Sequence, residues 1–152
     1  MKPTTNSSSK FYQGKYRVKY PSKYSGSISD VVYRSSWEAK FMVWCDHNPN
    51  VVSWASETVV IPYISPVDGR PHRYFVDFYV KIQDRNGVVK GFLVEVKPKK
   101  QTIPPQQQKK TKRFIQEALT YEVNQAKWNA ASKYCEERGM QFLVLTEDHL
   151  KV

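Results

Sequence analysis

Three ionisable side chains stand in two neighbouring stretches of the sequence. Asp77 lies within residues 74–82, which alternate between apolar and polar residues, and Glu95 and Lys97 lie in the stretch that follows the next loop. Carboxylates are ligands for divalent cations, which polarise a phosphoryl group and lower the pKa of an attacking water. A nearby lysine can orient that water or stabilise charge that develops on the phosphate. These residue types therefore suit metal-dependent hydrolysis of a phosphodiester bond.

The loop between the two stretches decides whether the three side chains can meet. Asp84-Arg85-Asn86-Gly87 matches a type I turn that closes a three-residue hairpin loop with a bulge. In that register Asp77 stands opposite Glu95 on one sheet face, and the lysine two residues later joins them. A two-residue loop at Asn86-Gly87 would instead pair Asp77 with Val96 and place the acids on opposite faces. We predict the longer loop.

Each of these residues also has a purely structural explanation. Asp77 and Lys97 can form an ordinary ion pair, and Glu38 can serve only as the acid of a helix capping box. For any one residue the structural explanation is the commoner one. Their joint placement favours the catalytic hypothesis.

The elements that must position these residues begin with a helix. Ser35-Ser36-Trp37-Glu38 predicts the capped start of a helix of about three turns that ends before Asn48. Apolar runs at 51–54 and 58–64, the second interrupted by Pro62, suit strands near a sheet edge.

The second half of the chain predicts two more strands and one more helix. Residues 74–82 alternate so that one strand face is wholly apolar and the other carries the acid. A helix at about 125–138, with Asn124 as its N-cap, precedes a strand at 140–146. The helical crossover places that last strand parallel to the strand of Glu95. The predicted fold class is α/β, with a mixed central sheet flanked by helices.

Positive charge is concentrated in two stretches of the chain. The net charge is +10, and residues 1–29 carry six basic side chains and residues 96–116 carry seven, with no acid in either stretch. Such segregation favours a polyanionic partner, because each neutralised phosphate releases condensed counterions. The alternative is that the basic runs are solvated tails. Tyrosines between the first lysines offer stacking surfaces for bases and favour nucleic acid. They are Tyr12, Tyr16, Tyr20 and Tyr24.

Two segments are expected to be loosely structured. Residues 1–30 form a basic, Tyr-rich N-terminal arm that is extended or only loosely packed on a domain of residues 31–152. Residues 98–113, which contain Pro104-Pro105 and several lysines, are predicted to be a mobile DNA-facing loop that leads from the active-site strand.

Length and composition exclude several classes of protein. A chain of 152 residues that is 40% hydrophobic suits one globular domain. No run of about 18 apolar residues could span a bilayer, so no membrane partner is expected. Cys45 and Cys135 are too few for a disulfide framework or a four-thiolate zinc site, which favours a reducing compartment.

The acids and the lysine together fit one known pattern. Val94-Glu95-Val96-Lys97, with Asp77 upstream and Glu38 in the first helix, resembles the motif of the PD-(D/E)XK nuclease superfamily. The predicted order of helix, three strands, helix and strand is similar to the restriction-endonuclease-like αβββαβ core of that superfamily. The sequence departs from the pattern at Val76, where the superfamily name has proline.

The resemblance implies a role for each residue of the motif. Glu38, Asp77 and Glu95 would hold one or two Mg²⁺ or Mn²⁺ ions, and Lys97 would assist the attacking water. These four residues are the expected catalytic set of a metal-dependent deoxyribonuclease.

Further residues are candidates for supporting roles. Gln125 and Lys127, in the predicted second helix, are auxiliary candidates near the metal or the phosphate, although an exposed first helical turn also explains them. Basic side chains are expected to grip DNA without strong sequence reading. They are Lys15, Arg17, Lys19, Arg73, Lys99, Lys100, Lys109 and Lys110.

Among subgroups, the arrangement resembles the TnsA-type transposon endonucleases and the head-completion nucleases of T-even-type tailed phages. The second resemblance implies a role in virion assembly around head-to-tail joining, in the infected cell and the virion, with DNA and phage portal or neck proteins as partners. The alternative is a structural plug or connector protein that binds DNA on the same fold without cutting it. The sequence leaves open the oligomeric state and whether cutting is endonucleolytic or exonucleolytic.

Overall fold

A four-stranded mixed sheet, with strand order β3-β6-β7-β8, forms the centre of the molecule. The structure is a computed structural model that describes residues 13–106 and 111–150. In that part of the chain no helix combines the length and apolar character needed to cross a membrane. The helices and strands are β1 (Gly14–Lys15), β2 (Val32–Tyr33), α1 (Ser36–His47), β3 (Val51–Ser56), β4 (Val60–Ile64), β5 (Pro71–Phe75), β6 (Phe78–Gln83), β7 (Val89–Val96), α2 (Lys112–Glu137) and β8 (Gln141–Leu145).

The sheet has the predicted αβββαβ core, formed by α1, β3, β6, β7, α2 and β8. β3 is an edge strand that runs antiparallel to β6, and β8 runs parallel to β7. A parallel neighbour requires a crossover connection, and α2 supplies it. The prediction of a mixed sheet flanked by helices is confirmed.

The hairpin register between β6 and β7 is the predicted one. Phe78 faces Val94 at one end of the ladder, and Gln83 faces Val89 at the other. The Asp84 N–H donates to the Val88 carbonyl at 2.9 Å and closes the three-residue loop. Gly87 has φ 81°, a left-handed conformation that glycine adopts without steric cost. The longer loop is therefore confirmed.

The predicted continuous strand at residues 74–82 is wrong, because the chain breaks between β5 and β6. At the break, the Val76 N–H donates to the Val59 carbonyl at 3.1 Å, and the Asp77 carbonyl accepts from the Glu57 N–H at 3.0 Å. β5 pairs with β4 in a separate two-stranded sheet. The β4–β5 hairpin is thus an insertion between two strands of the central sheet.

The break divides the predicted apolar face between two cores. Trp54 and Phe78 are among the fully buried side chains between the sheet and α1, where burial of each contributes roughly 1.5–3 kcal/mol. Tyr74 and Val76 lie instead in the core beneath α2, with Trp128. Tyr74 and Val76 therefore lie on the opposite side of the sheet from Trp54 and Phe78.

The predicted start of the second helix is also wrong. α2 has 26 residues and begins at Lys112, where the Thr111 hydroxyl accepts the Phe114 N–H. Asn124, expected to be the N-cap, lies in the middle of the helix and is 4% exposed. The expected loop of residues 98–113 also contains a 3₁₀ turn at Lys99–Gln101, and its last residues belong to α2.

α1 begins and ends as predicted. The Ser35 hydroxyl accepts the Glu38 N–H at 3.1 Å, which satisfies one donor of the first helical turn. In a capping box the Glu38 carboxylate would accept the Ser35 N–H, but here it accepts the Arg34 N–H at 3.0 Å. Glu38 is therefore anchored to the chain just before its own helix.

Residues 13–30, expected to be loosely packed, are held on the body of the protein by a buried carboxylate. Asp46 of α1 is 0% exposed, and its Oδ2 atom accepts the Lys19 N–H at 2.6 Å and the Tyr16 hydroxyl at 2.7 Å. Its Oδ1 atom accepts the Tyr20 N–H at 3.1 Å. Burial would raise the pKa of Asp46, but these hydrogen bonds outweigh burial and lower it.

Two of the arm tyrosines are part of this packing and are not free to stack on bases. The rings of Tyr16 and Tyr24 make edge-to-face contacts with buried Trp54, at centroid distances of 5.9 and 4.7 Å. Tyr20 is 45% exposed and touches His47. Tyr12 lies outside the described residues.

Replacement of Asp46 by Asn is expected to destabilise the fold by about 3 kcal/mol at pH 7, because the amide nitrogen cannot accept the two Oδ2 hydrogen bonds. A carboxyl with a lowered pKa stabilises the fold above its unfolded pKa of about 3.9, and that contribution is lost as the pH falls through the folded value. The difference in the free energy of unfolding between wild type and Asp46→Asn, measured with urea, is therefore expected to become smaller in acid. Asp148→Asn, at an exposed carboxylate, is the control, and a gap independent of pH would contradict the account.

Candidate active site

Asp77 and Glu95 converge at the end of β7 where the β6 ladder stops. Phe78 faces Val94, so the next pair of positions is Asp77 and Glu95. Asp77 lies in the break before β6, and its Oδ2 atom accepts the Val96 N–H at 2.8 Å. The carboxylate thereby supplies the acceptor that the strand would have offered had it continued.

Glu95 is a buried carboxylate with two partners of different character. It is 4% exposed, and its Oε1 atom accepts the Tyr74 hydroxyl at 2.6 Å. Its Oε2 atom lies 3.6 Å from Nζ of Lys97, which follows two residues later, just beyond the end of β7. The predicted association of Asp77, Glu95 and Lys97 on one side of the hairpin agrees with these contacts.

The acids repel one another in a poorly solvated place. Burial, followed by the negative charges of Glu95 and Glu38, raises the pKa of Asp77 well above its usual range. Burial is also the main reason that the pKa of Glu38 is raised, with the charges of Glu57 and Glu95 adding to it. Burial and the neighbouring carboxylates therefore both disfavour ionisation of Asp77 and Glu38.

Tyr74 is a site residue that the sequence did not indicate. It is 3% exposed, and burial with the adjacent Glu95 charge raises the pKa of its phenol, so the hydroxyl remains a donor at neutral pH. The alternation of residues 74–82 assigned it to an apolar face. A tyrosine on an otherwise aliphatic and Phe-containing face was the available signal, since a buried phenol needs a polar partner.

Lys127 of α2 reaches the same region, and its role as an auxiliary residue stays a prediction. Its ammonium lies 5.5 Å from the ring centroid of Tyr74 and 5.9 Å from that of Tyr63. Burial and then the charge of Lys97 lower its pKa, while Glu95 and Asp77 act in the opposite direction. Gln125 is half-buried in α2, and its auxiliary role stays a prediction.

Glu38 lies at the edge of this site rather than in its centre. With Lys97 and Lys100 it lines a cavity of about 240 Å³ between the start of α1 and the end of β7. Arg34, at the mouth of the same cavity, forms an ion pair with Glu57. Glu38 as a metal ligand stays a prediction.

A divalent cation such as Mg²⁺ needs several oxygen ligands, and Asp77 and Glu95 are the side chains that could supply them here. Among residues 13–106 and 111–150, no group of three or more His, Cys, Asp or Glu side chains is placed to hold a metal ion. Asp77 and Glu95 each use one oxygen in a hydrogen bond, and the second oxygen of Glu95 lies 3.6 Å from the ammonium of Lys97. Mg²⁺ usually binds through one or two carboxylates together with water and substrate phosphate. The two carboxylates therefore fit a Mg²⁺ or Mn²⁺ ion whose remaining ligands come from water and substrate phosphate.

The residues predicted to bind DNA are dispersed. Lys100 is exposed and lines the cavity beside Lys97 and Glu38. Lys99 is exposed and pairs with Asp148 at 3.1 Å. Arg73 is exposed on β5 and lies over the ring of Phe75. Exposed residues of the N-terminal segment are Lys15, Arg17 and Lys19. Lys109 and Lys110 lie outside the described residues.

Replacement of Asp77 by Asn is expected to raise the stability of the metal-free protein at neutral pH. An Asp with a raised pKa takes up a proton on folding, so it reduces stability progressively as the pH rises from about 3.9 through the folded value. Asn cannot ionise and can still accept the Val96 N–H. Urea unfolding in EDTA should show that, as the pH rises from about 3.9, the free energy of unfolding of wild type becomes lower than that of Asp77→Asn. Asp30→Asn, at an exposed carboxylate, should follow wild type, and equal curves for all three proteins would refute the proposed repulsion.

Comparison with known proteins agrees with this geometry. The model of the family described as TnsA-like endonuclease N terminal matches residues 48–147, which include β3 to β8. The chain is 43% identical over 145 residues to the head completion nuclease of Enterobacteria phage T4, covering 92% of this chain and 94% of that protein. A family match over most of the chain and a relative of this similarity lead to the same conclusion. The chain belongs to the TnsA-like endonuclease family.

Proposed function

We propose that this protein is a Mg²⁺- or Mn²⁺-dependent DNA endonuclease that acts in phage head completion. The observation that carries the proposal is the convergence of Asp77, Glu95 and Lys97 at the end of β7. Two carboxylates lie beside an ammonium, next to a cavity between α1 and the loop after β7. Family membership supports the class of reaction.

Asp77 and Glu95 would hold the divalent ion. When bound, the ion supplies polarisation of the phosphoryl group and a more acidic water. Tyr74 fixes one oxygen of Glu95, and the Val96 N–H fixes one oxygen of Asp77, so both carboxylates are oriented before substrate arrives. Such preorganisation avoids the cost of reorienting the groups during reaction.

Lys97 is proposed to act on the phosphate or on the attacking water. Its ammonium lies 3.6 Å from Glu95, a distance that leaves its N–H donors available to substrate. The cation offsets charge that develops on the phosphoryl oxygens in the transition state. Lys127, on the other side of the Tyr74 ring, would add positive charge to the same place.

The proposed biological role rests on the similarity to the phage head completion nuclease. A virion protein with this role meets DNA where the head is closed, and phage portal or neck proteins are its proposed partners. The infected cell and the assembled virion are the proposed locations. The strongly positive net charge of +10 suits a protein that associates with DNA.

The purified protein is expected to cut plasmid DNA in the presence of Mg²⁺ or Mn²⁺ and to stop when EDTA is added. Lys97→Ala and Asp77→Ala are expected to lower the cleavage rate by about 10²- to 10³-fold, the usual effect of losing one stabilising group of the transition state. Gel analysis of nicked and linear products measures the rate.

Lys90→Ala is the matched control for Lys97→Ala, because Lys90 is an exposed lysine of β7, the strand that leads to Lys97. It should cut at the wild-type rate. Wild-type protein that binds DNA without cutting it under any divalent cation would overturn the proposal and favour a plug or connector protein.

A further inference from the structure

A second cavity lies beside the site, between α2 and the segment of residues 100–106. Its volume is about 390 Å³, within the range of pockets that bind small organic groups. Apolar walls are provided by Ile103 and the prolines that follow it, Pro104 and Pro105. Most of the polar lining consists of amides and hydroxyls, and two charged side chains, Lys100 and Glu117, also line the cavity. The amide and hydroxyl residues are Gln101, Gln106, Gln116, Thr120, Tyr121 and Asn124.

Asn124 places an unpaired hydrogen-bond donor on the wall of this cavity. The side chain is 4% exposed, and its Nδ2 atom has no hydrogen-bond partner among the residues that the structure describes. An unpaired buried donor is costly, and native structures usually satisfy it. A donor of this kind on the wall of a cavity indicates that a ligand supplies the acceptor.

The chemistry of the lining suits a nucleobase. Side-chain amides carry a donor and an acceptor side by side, which is the pattern that base edges present, and Asn and Gln are common base-reading residues. Tyr121 is a half-buried aromatic ring on which a base can stack, and the prolines offer flat apolar contacts. A phosphate alone would leave the amides and the apolar wall unused.

This cavity adjoins the cavity beside Lys97, where the scissile phosphodiester would lie. Lys100 and Gln101 line both this cavity and the one beside Glu38 and Lys97. On α2, Asn124 precedes Lys127 by three residues, so the two lie on the same helix face about 4.5 Å apart along the axis. A nucleotide with its phosphate at Lys97 therefore has its base within reach of this cavity.

We propose that this cavity binds one unpaired nucleobase next to the scissile phosphate, with Asn124 as the donor to the base and Tyr121 as its stacking surface. The proposal rests on the proposed nuclease function and specifies its substrate. A base inside a duplex is stacked and paired, so it must be turned out of the helix, and an already unpaired nucleotide avoids that cost. The preferred DNA is then one that contains an unpaired nucleotide.

The test compares cleavage of three DNA duplexes that differ at one position: fully paired, with one bulged nucleotide, and with an abasic residue in place of the bulged nucleotide. Wild-type protein is expected to cut beside the bulge with a kcat/KM about 5- to 150-fold higher than for paired DNA, the effect of one stacked base. The abasic duplex should lose this preference. Asn124→Leu and Tyr121→Leu should reduce it towards one.

Asn129→Ala is the matched control, since Asn129 is an exposed amide on the same helix. It should retain the full preference. Asn124→Leu is expected to unfold at the same or a higher urea concentration than wild type, because leucine of similar volume removes a buried unpaired donor. Loss of preference in a protein that is equally stable identifies a ligand contact rather than a structural role.

A binding measurement gives an independent readout without cleavage. Lys97→Ala protein is titrated into bulged DNA that carries 2-aminopurine at the unpaired position. The fluorescence of the 2-aminopurine is expected to change when the protein binds. The change should disappear when Asn124→Leu is added to Lys97→Ala. Equal cleavage of bulged, abasic and paired DNA by wild type would overturn the base pocket and leave the nuclease intact. Absence of cleavage of all three would instead overturn the nuclease proposal.

Discussion

The register of the β6–β7 hairpin is the constraint on which the site depends. Side chains alternate along a strand, so a slip of one residue would place Asp77 and Glu95 on opposite faces of the sheet. The three-residue loop closed by Asp84 and Val88 excludes that slip, because it sets which residues face each other. Chemistry at one end of the hairpin is thus fixed by turn geometry at the other end.

The break between β5 and β6 gives Asp77 its position within this register. A continuous strand would leave the Val96 N–H bonded to backbone, whereas here it binds the Asp77 carboxylate. The same break turns Tyr74 and Val76 towards α2, which brings the Tyr74 hydroxyl to Glu95. One irregularity therefore orients both acids. Burial and, after it, the charges of Glu95 and Glu38 raise the pKa of Asp77, so holding the acids together without a cation opposes their ionisation.

Local patterns in the sequence predicted the parts of the fold that local interactions determine. The start of α1 follows from the hydroxyl of Ser35, and the loop of the hairpin follows from Asp84 and Gly87, all close in sequence to the groups they bind. These predictions needed no knowledge of distant contacts. The association of Asp77 with Glu95 followed from the loop.

The parts of the fold that were predicted wrongly depend on contacts with residues distant in sequence, or lie where no buried apolar stripe marks the helix. The break before β6 is held by Glu57 and Val59, and Glu57 has φ 58°, a conformation that its residue type does not predict. The first turns of α2 expose Ile115 and Leu119, at 49% and 40%, so no buried stripe marked the helix there. The packing of residues 13–30 depends on Asp46, an acid that a helix would normally present to solvent.

The early start of α2 also changes how the site is understood. A helix that began near residue 125 would leave the far side of the second cavity without a wall, because Gln116, Thr120 and Tyr121 precede that point. The actual helix carries these residues, then Asn124, and then Lys127 beside Tyr74. A single rigid element thus connects the second cavity to the carboxylates. Because a helix transmits position over several turns with little deformation, a base seated at Asn124 would fix where its phosphate lies relative to Glu95 and Lys97.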